Sequence, residues 1–242
     1  MQFGAWPAGT PDAEYMDDSA DRDTGHEGKG EHMTGAIFDV DGTLLDSMPI
    51  WEDVGERYIR SLHLEPEPGL SRKLETLSVE EGAAYLKNTY RLTQTEEEIS
   101  RGTLQIVEDF YYREAPLKPG VKEFLEALQA KGIPMVIATS SVREHVEAAL
   151  RRLGVLHCFA RIFTCTEVGA GKTNPLIFEK AGKYIGGEFR DISVFEDAIH
   201  ALETAKKAGF YTVAVYDPTS EKDWERLRAE ADRAVTDLRQ LL

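Results

Sequence analysis

Two aspartates separated by one residue follow the first strongly apolar segment of the chain, in the stretch Ala36-Ile37-Phe38-Asp39-Val40-Asp41-Gly42-Thr43. The apolar run predicts a buried strand, and Gly42 allows the chain to turn after it, so that both carboxylates can face one cavity. Two carboxylates about 4 Å apart repel each other by about 4 kcal/mol at an effective dielectric constant near 20. The pair therefore indicates a shared proton or a divalent cation that prefers oxygen ligands, with a solvated turn as the alternative.

Hydroxyl groups follow a second predicted strand. The apolar run 134–138 ends at Thr139-Ser140-Ser141, directly before a predicted helix over 142–153. Hydroxyls and backbone N–H groups at the start of a helix can receive an anion. Thr139 and Ser140 are therefore candidate phosphate ligands, whereas Ser141 with Glu144 has the spacing of a helix capping box.

A lysine follows a third predicted strand. Lys172 lies in Gly169-Ala170-Gly171-Lys172-Thr173-Asn174-Pro175, between a strand predicted over 161–165 and a helix over 175–185. The segment is not a nucleotide-binding P-loop, because Thr166 stands where the first glycine of that motif is required. Such a lysine is either solvated or, beside carboxylates and hydroxyls, a phosphate ligand that balances charge.

A second acidic pair ends a fourth predicted strand. Glu196 and Asp197 follow the strand predicted over 191–195 and precede a helix predicted over 198–208. They can stabilise the positive end of that helix dipole. Together with the first pair they can also complete a site of carboxylate oxygens and water, which is the environment that Mg²⁺ prefers.

The remaining pattern predicts an α/β fold. Helices and apolar strands alternate from residue 121 onward, with a helix over 121–131 and, near the end, a strand over 211–215, a helix over 221–228 and a short strand over 233–235. This alternation is typical of parallel βαβ units. Residues 48–117 contain helical patterns only, with capping boxes at Ser78–Glu81 and Thr95–Glu98. We therefore predict a Rossmann-like parallel sheet core over 34–47 and 118–242, an inserted all-helical cap over 48–117, and a disordered leader over 1–33.

Composition limits the partners. The chain of 242 residues has a formal net charge of −15, and no basic stripe stands out, which argues against binding to nucleic acid or to an anionic membrane. No apolar run is long enough for a membrane span. Cys158 and Cys165 show neither a C-x-x-C spacing nor a disulfide framework, which favours a cytoplasmic location. The sequence does not indicate the oligomeric state.

These motifs resemble, in order and spacing, the haloacid dehalogenase-like phosphatase superfamily, in its helical-cap subgroup related to β-phosphoglucomutase and phosphoglycolate phosphatase. The four motifs are Asp39-Val40-Asp41-Gly42-Thr43, Thr139, Lys172 and Glu196-Asp197. The resemblance implies that Asp39 is the nucleophile and Asp41 the general acid and base. It further implies the remaining roles: phosphate contacts from Thr139, Ser140, Lys172 and Gly42, and Mg²⁺ bound by Asp39, the backbone carbonyl of Asp41, Asp197 and Glu196.

The implied activity is hydrolysis of a small phosphorylated metabolite through an aspartyl-phosphate, with a sugar or polyol phosphate as the default substrate. A sugar-phosphate mutase similar to β-phosphoglucomutase is the alternative. That family has a histidine at Trp51, an arginine at Val79 and a lysine-asparagine pair at Val142-Arg143, although Arg143 could compensate in part. A non-enzymatic phospho-receiver module is disfavoured by the motif order and the helical insertion, and a true dehalogenase by the second acidic pair.

Overall fold

A computed structural model describes residues 33–74 and 77–242. The predicted leader falls almost entirely outside these residues. Within the described residues the six strands are β1 (Gly35–Phe38), β2 (Met135–Thr139), β3 (Arg161–Thr164), β4 (Ile192–Glu196), β5 (Tyr211–Val215) and β6 (Arg233–Val235).

The strands form one parallel sheet in the order β3-β2-β1-β4-β5-β6. Strand β1 lies between β2 and β4, with Ala36 opposite Met135 on one side and Ser193 on the other. Its four residues are fully buried, as expected for a strand covered on both faces. The order of the strands reverses at β1, and open α/β sheets bind ligands at the carboxyl ends of the strands at such a point.

Between β1 and β2 the structure describes five helices and no named strand, with residues 75–76 outside the description. They are α1 (Pro49–Ser61), α2 (Leu70–Leu74), α3 (Val79–Tyr90), α4 (Glu96–Arg113) and α5 (Val121–Ala130). The predicted fold class, an α/β parallel sheet with an all-helical insertion, is confirmed. Both predicted capping boxes form, since Ser78 accepts a hydrogen bond from the N–H of Glu81 and Thr95 from that of Glu98.

The two segments that lead into and out of the helical insertion are paired with each other. The N–H of Asp46 donates to the carbonyl of Pro116 (3.0 Å), and the N–H of Lys118 donates to that of Leu44 (2.9 Å). Helices α1 to α4 share a small apolar cluster around Tyr58, Ile59 and Leu86. The division into a cap over 48–117 and a core over 34–47 and 118–242 remains a proposal, which this pairing supports.

The other helices are α6 (Arg143–Arg152), α7 (Cys165–Val168), α8 (Leu176–Ile185), α9 (Ile199–Lys207) and α10 (Trp224–Glu230). The strand predicted over 161–165 is one residue too long, because Thr164 accepts a hydrogen bond from the N–H of Glu167 (3.2 Å) and caps α7. In the part of the chain described here, no helix combines the length and apolar character needed to cross a membrane.

Candidate active site

The polar residues predicted from the four strand ends meet at the carboxyl edge of the sheet. Asp39 directly follows β1, Thr139 ends β2 and Glu196 ends β4, and these three strands are neighbours. Lys172 comes from the loop between α7 and α8 and reaches the same place, where its ammonium group pairs with both Asp39 and Glu196. The structure therefore brings the first, third and fourth motifs into direct contact.

Lys172 is buried together with both of its carboxylate partners. Burial alone would lower the pKa of Lys172, but the charges of Asp39 and Glu196 outweigh it and raise that pKa above its ordinary range. The lysine therefore stays cationic. A fixed ammonium group beside Asp39 is suited to neutralise charge on an incoming anionic substrate.

Three buried carboxylates, from Asp39, Glu196 and Asp197, place one oxygen each within 4.8 Å of one another. Burial, with only partial relief from Lys172, raises the pKa of Asp39 and of Asp197 to about 7, and burial also raises that of Glu196. A single lysine does not balance three acids. Oxygen donors with uncompensated negative charge fit a hard divalent cation, so this donor set suits Mg²⁺.

Gly42 provides the space for this arrangement. Its φ of +82° is a backbone conformation that residues with a side chain rarely adopt, and a Cβ atom there would collide with the carboxylate of Asp197. The loop after β1 thus needs glycine to approach the loop after β4. A phosphate contact from Gly42 remains a prediction, since its N–H donates to the carbonyl of Leu45 (2.9 Å).

The segment after β2 differs from its predicted capping arrangement. Helix α6 has Val142 as its N-cap without a side-chain hydrogen bond, so the capping box between Ser141 and Glu144 is wrong. The hydroxyl of Ser141 instead donates to Asp41, and the N–H of Ser141 donates to the hydroxyl oxygen of Thr139 (3.0 Å). The charged acceptor at Asp41 explains why Ser141 turns away from the helix.

The structure separates the two remaining phosphate candidates. Thr139 is fully buried and connects through Ser141 to Asp41. Ser140 is exposed, and its hydroxyl lies 3.4 Å from the Sγ atom of Cys165. The phosphate contacts predicted for both residues remain predictions.

Asp41 is held by three hydroxyl groups. Oδ1 accepts hydrogen bonds from Ser47 (2.5 Å) and from the phenol of Tyr111 (2.6 Å), while Oδ2 accepts one from Ser141. Burial and the neighbouring charge of Asp41 raise the pKa of Tyr111 above its ordinary range. The phenol therefore stays protonated and acts as the hydrogen-bond donor. The side chain of Asp41 is outside the acidic triad, and a metal contact from its backbone carbonyl remains a prediction.

Sequence reasoning missed Ser47, Tyr111 and Lys118. Tyr111 fits the apolar face of α4, and Ser47 lies in an otherwise ordinary loop, so neither carries a local signal of function. Lys118 lies outside all four motifs. Their roles can be recognised only in the folded structure, in which the loop after β1 packs against α4 and against the loop after β5.

Lys118 joins the loop after β1 to the loop after β5. Its ammonium group donates to the carbonyls of Gly42 and Tyr216 (both 2.6 Å) and to the carboxylate of Asp217 (2.8 Å). Asp217 is buried, and although burial opposes it, hydrogen bonds from Lys118 and Thr219 lower the pKa of Asp217 below its ordinary range. Lys118 therefore supports the loop that carries Asp39 and Asp41.

We expect Lys118→Met to lower the free energy of unfolding by about 3 kcal/mol at neutral pH, because Asp217 would remain buried without its cation. Because the folded-state pKa of Asp217 is depressed, its contribution is present above the ordinary pKa of an aspartate and is lost as the pH falls through the folded value. Denaturant unfolding should therefore show a smaller difference between wild type and Lys118→Met in acid. The exposed Lys122 on α5 gives the control Lys122→Met, and an equal loss in that variant would contradict this role of Lys118.

Asp39, Glu196 and Asp197, whose buried carboxylates could hold a metal ion, lie at the carboxyl edge of an open parallel sheet, where such sheets bind ligands. Residues 33–209 match the family model of haloacid dehalogenase-like hydrolases. The chain belongs to that family, which confirms the resemblance drawn from the four motifs.

Several relatives of this chain are phosphatases. The phosphorylated carbohydrates phosphatase of Thermotoga maritima is 27% identical over 177 residues, which cover 73% of this chain and 82% of that protein. The validoxylamine A 7'-phosphate phosphatase of Streptomyces hygroscopicus subsp. limoneus is 29% identical over 209 residues, covering 84% of this chain and 93% of that protein. Among solved structures, a Thermotoga maritima protein described as a β-phosphoglucomutase aligns with a TM-score of 0.74 at 25% identity, covering 87% of this chain and 97% of that one.

Proposed function

We propose that this protein is a Mg²⁺-dependent phosphatase that hydrolyses a small phosphomonoester through an aspartyl-phosphate intermediate. The observation that carries the proposal is the buried contact between Lys172 and Asp39, which is one member of the acidic triad. An ordinary structural ion pair does not need two further buried acids beside it. Phosphoryl transfer does need such a site, because it depends on positioning and on neutralising charge on the phosphoryl oxygens.

Asp39 and Asp41 divide the chemistry between them. A carboxylate oxygen of Asp39 attacks phosphorus, the bond from phosphorus to the ester oxygen breaks, and Asp41, which enters this step protonated, gives its proton to the departing alcohol and becomes a carboxylate. Asp41 then takes a proton from the water that attacks the aspartyl-phosphate, which releases phosphate and restores Asp39. Lys172 and Thr139 hold the transferring phosphoryl oxygens, with Ser140 and Gly42 as additional phosphate contacts.

The metal would be held by Asp39, Asp197, Glu196 and the backbone carbonyl of Asp41. When bound, Mg²⁺ supplies positive charge next to the phosphoryl oxygens. The donor set supports this assignment because all three carboxylates are buried and Lys172 compensates only part of their charge. Removal of the metal should therefore stop turnover without removing Lys172 from its place.

We further propose that residues 48–117 act as the cap that closes over the site. Closure would keep bulk water from the phosphoenzyme and supply substrate contacts, and opening would release the product.

Sugar or polyol phosphates are the proposed substrates, in line with the names of the two phosphatase relatives. The net charge of −15 supports a small-molecule partner rather than nucleic acid or a membrane, and the free cysteines Cys158 and Cys165 support a cytoplasmic location.

The mutase alternative requires a second phosphate clamp, for which Arg143, the first residue of α6, is the candidate. Its guanidinium group makes a two-point ion pair with Glu167 (both contacts 2.6 Å) and donates to the carbonyl of Ile162 (2.8 Å). Arg143 is therefore already paired with Glu167 and Ile162, which argues against its use as a second phosphate clamp. Trp51 and Val79, which replace the other two mutase residues, are both exposed and uncharged.

The test is a phosphate-release assay on the full chain with Mg²⁺ and a panel of sugar, polyol and aryl phosphates. A hexose 1-phosphate in the panel also reports mutase activity through formation of its 6-phosphate isomer. We expect phosphate release that EDTA abolishes and Mg²⁺ restores, with no isomerised sugar phosphate. Absence of phosphate release from every ester, or isomerisation that outpaces release, would contradict the proposal.

A further inference from the structure

We propose that Tyr111, on the helical insertion, is a positioning residue that orients Asp41 for proton transfer to the leaving group. This inference rests on the proposed acid and base role of Asp41. The supporting observation is the hydrogen bond of 2.6 Å from the phenol of Tyr111 to Oδ1 of Asp41. Tyr111 lies 70 residues from Asp41 along the chain, so only the fold creates this contact.

The carboxylate of Asp41 is oriented from three separate parts of the chain. Ser47 lies just before α1, Tyr111 is on the last turn of α4, and Ser141 follows β2. Ser47 and Tyr111 share Oδ1, whereas Ser141 binds Oδ2. Three donors on two oxygens fix the plane of the carboxylate, and a group that must serve first the ester oxygen and then a water needs such a fixed orientation.

The ring of Tyr111 is itself held in place. It is buried and stacks on His145 of α6, with ring centroids 5.5 Å apart and planes 25° apart. Arg152, also on α6, donates to the carbonyls of Tyr111 (3.4 Å) and Ala115. The end of α4 is thus anchored to the core, and the phenol has a defined position relative to Asp41.

The adjacent residue provides a matched control. Tyr112 also contacts His145, edge-on at 6.1 Å, but it is exposed, and its hydroxyl makes no hydrogen bond to the site in the described residues. Tyr111→Phe and Tyr112→Phe each remove one phenol oxygen and leave the ring. Only the first substitution removes a contact to Asp41.

The experiment compares kcat/KM for an alkyl phosphate and for p-nitrophenyl phosphate in wild type and both variants with Mg²⁺. An alkoxide needs a proton to depart, whereas nitrophenolate does not. We expect Tyr111→Phe to lower kcat/KM for the alkyl phosphate by about tenfold, as for loss of one hydrogen bond to a charged group, and that for the aryl phosphate by much less. Tyr112→Phe should match wild type on both.

Equal losses on the two substrates, or no loss in Tyr111→Phe, would overturn the inference while leaving the phosphatase proposal in place. Wild-type protein that hydrolyses neither ester would instead overturn the proposed function, and the inference with it. Should Tyr111→Phe fail to fold, Ser47→Ala tests the same carboxylate oxygen. It should show the same selective loss on the alkyl phosphate, and equal losses there would again overturn the inference.

Discussion

Asp39→Asn should reduce hydrolysis of every phosphomonoester by about 10,000-fold or more, because an amide cannot attack phosphorus to form an acyl phosphate. The fold should survive, since asparagine has the same shape and its carbonyl oxygen can still accept a hydrogen bond from Lys172. Removing one of the three buried acids also relieves repulsion from Glu196 and Asp41. The measurements are phosphate release with Mg²⁺ and thermal unfolding of the purified protein.

Asp46→Asn is the matched control for this substitution. Asp46 is on the same loop after β1, but its side chain is exposed. We expect wild-type rates from Asp46→Asn. Normal turnover in pure, folded Asp39→Asn would contradict the assignment of Asp39 as the nucleophile. An equal loss in both variants would indicate an effect of the negative charge of the loop rather than of chemistry at Asp39.

Asp197→Asn has the second large expected effect. It removes one of three acidic groups whose oxygens lie within 4.8 Å of one another, at a place where Gly42 leaves room for its carboxylate. Mg²⁺ affinity should fall by more than the roughly 10- to 100-fold that loss of a residue supporting a metal ligand costs. Turnover at low Mg²⁺ should fall in parallel and recover in part at high Mg²⁺. Isothermal titration with Mg²⁺ measures the binding directly, independently of activity.

Asp191 provides the control for Asp197. It precedes the amino end of β4, whereas Asp197 follows the carboxyl end of the same strand. Asp191→Asn changes the net charge by the same amount, so it should leave Mg²⁺ affinity unchanged. Unaltered Mg²⁺ binding in Asp197→Asn would contradict the assignment of the triad as the metal centre.

The strand ends could be predicted from the sequence because parallel strands place their carboxyl ends on one edge of the sheet. Asp39, Thr139 and Glu196 each directly follow or end an apolar run, so their proximity follows once the strands are recognised. The proximity of Lys172 to these residues could be predicted for the same reason. Its direct pairing with both Asp39 and Glu196 depends on how the loop before α8 folds back.

The contacts around Asp41 could not be predicted from local patterns. Ser141 has the spacing of a capping residue, and its actual partner lies 100 residues away along the chain. Tyr111 follows the helical period of an apolar face, as a core residue would. Lys118 contacts both the loop after β1 and the loop after β5, and no local sequence pattern indicates either contact. In each case the partner is a charged or carbonyl group from a distant segment, and tertiary packing outweighs the local preference.

The stereochemical course at phosphorus tests the central claim most directly. A phosphate ester made chiral with oxygen isotopes is incubated with the wild-type protein, Mg²⁺ and an acceptor alcohol that competes with water for the phosphoryl group, and the configuration at phosphorus is determined in the new ester formed with that alcohol. An aspartyl-phosphate at Asp39 requires two in-line displacements, each of which inverts the configuration at phosphorus. We therefore expect net retention of that configuration. Net inversion would mean that the acceptor attacks the substrate directly, and it would contradict a covalent intermediate on Asp39.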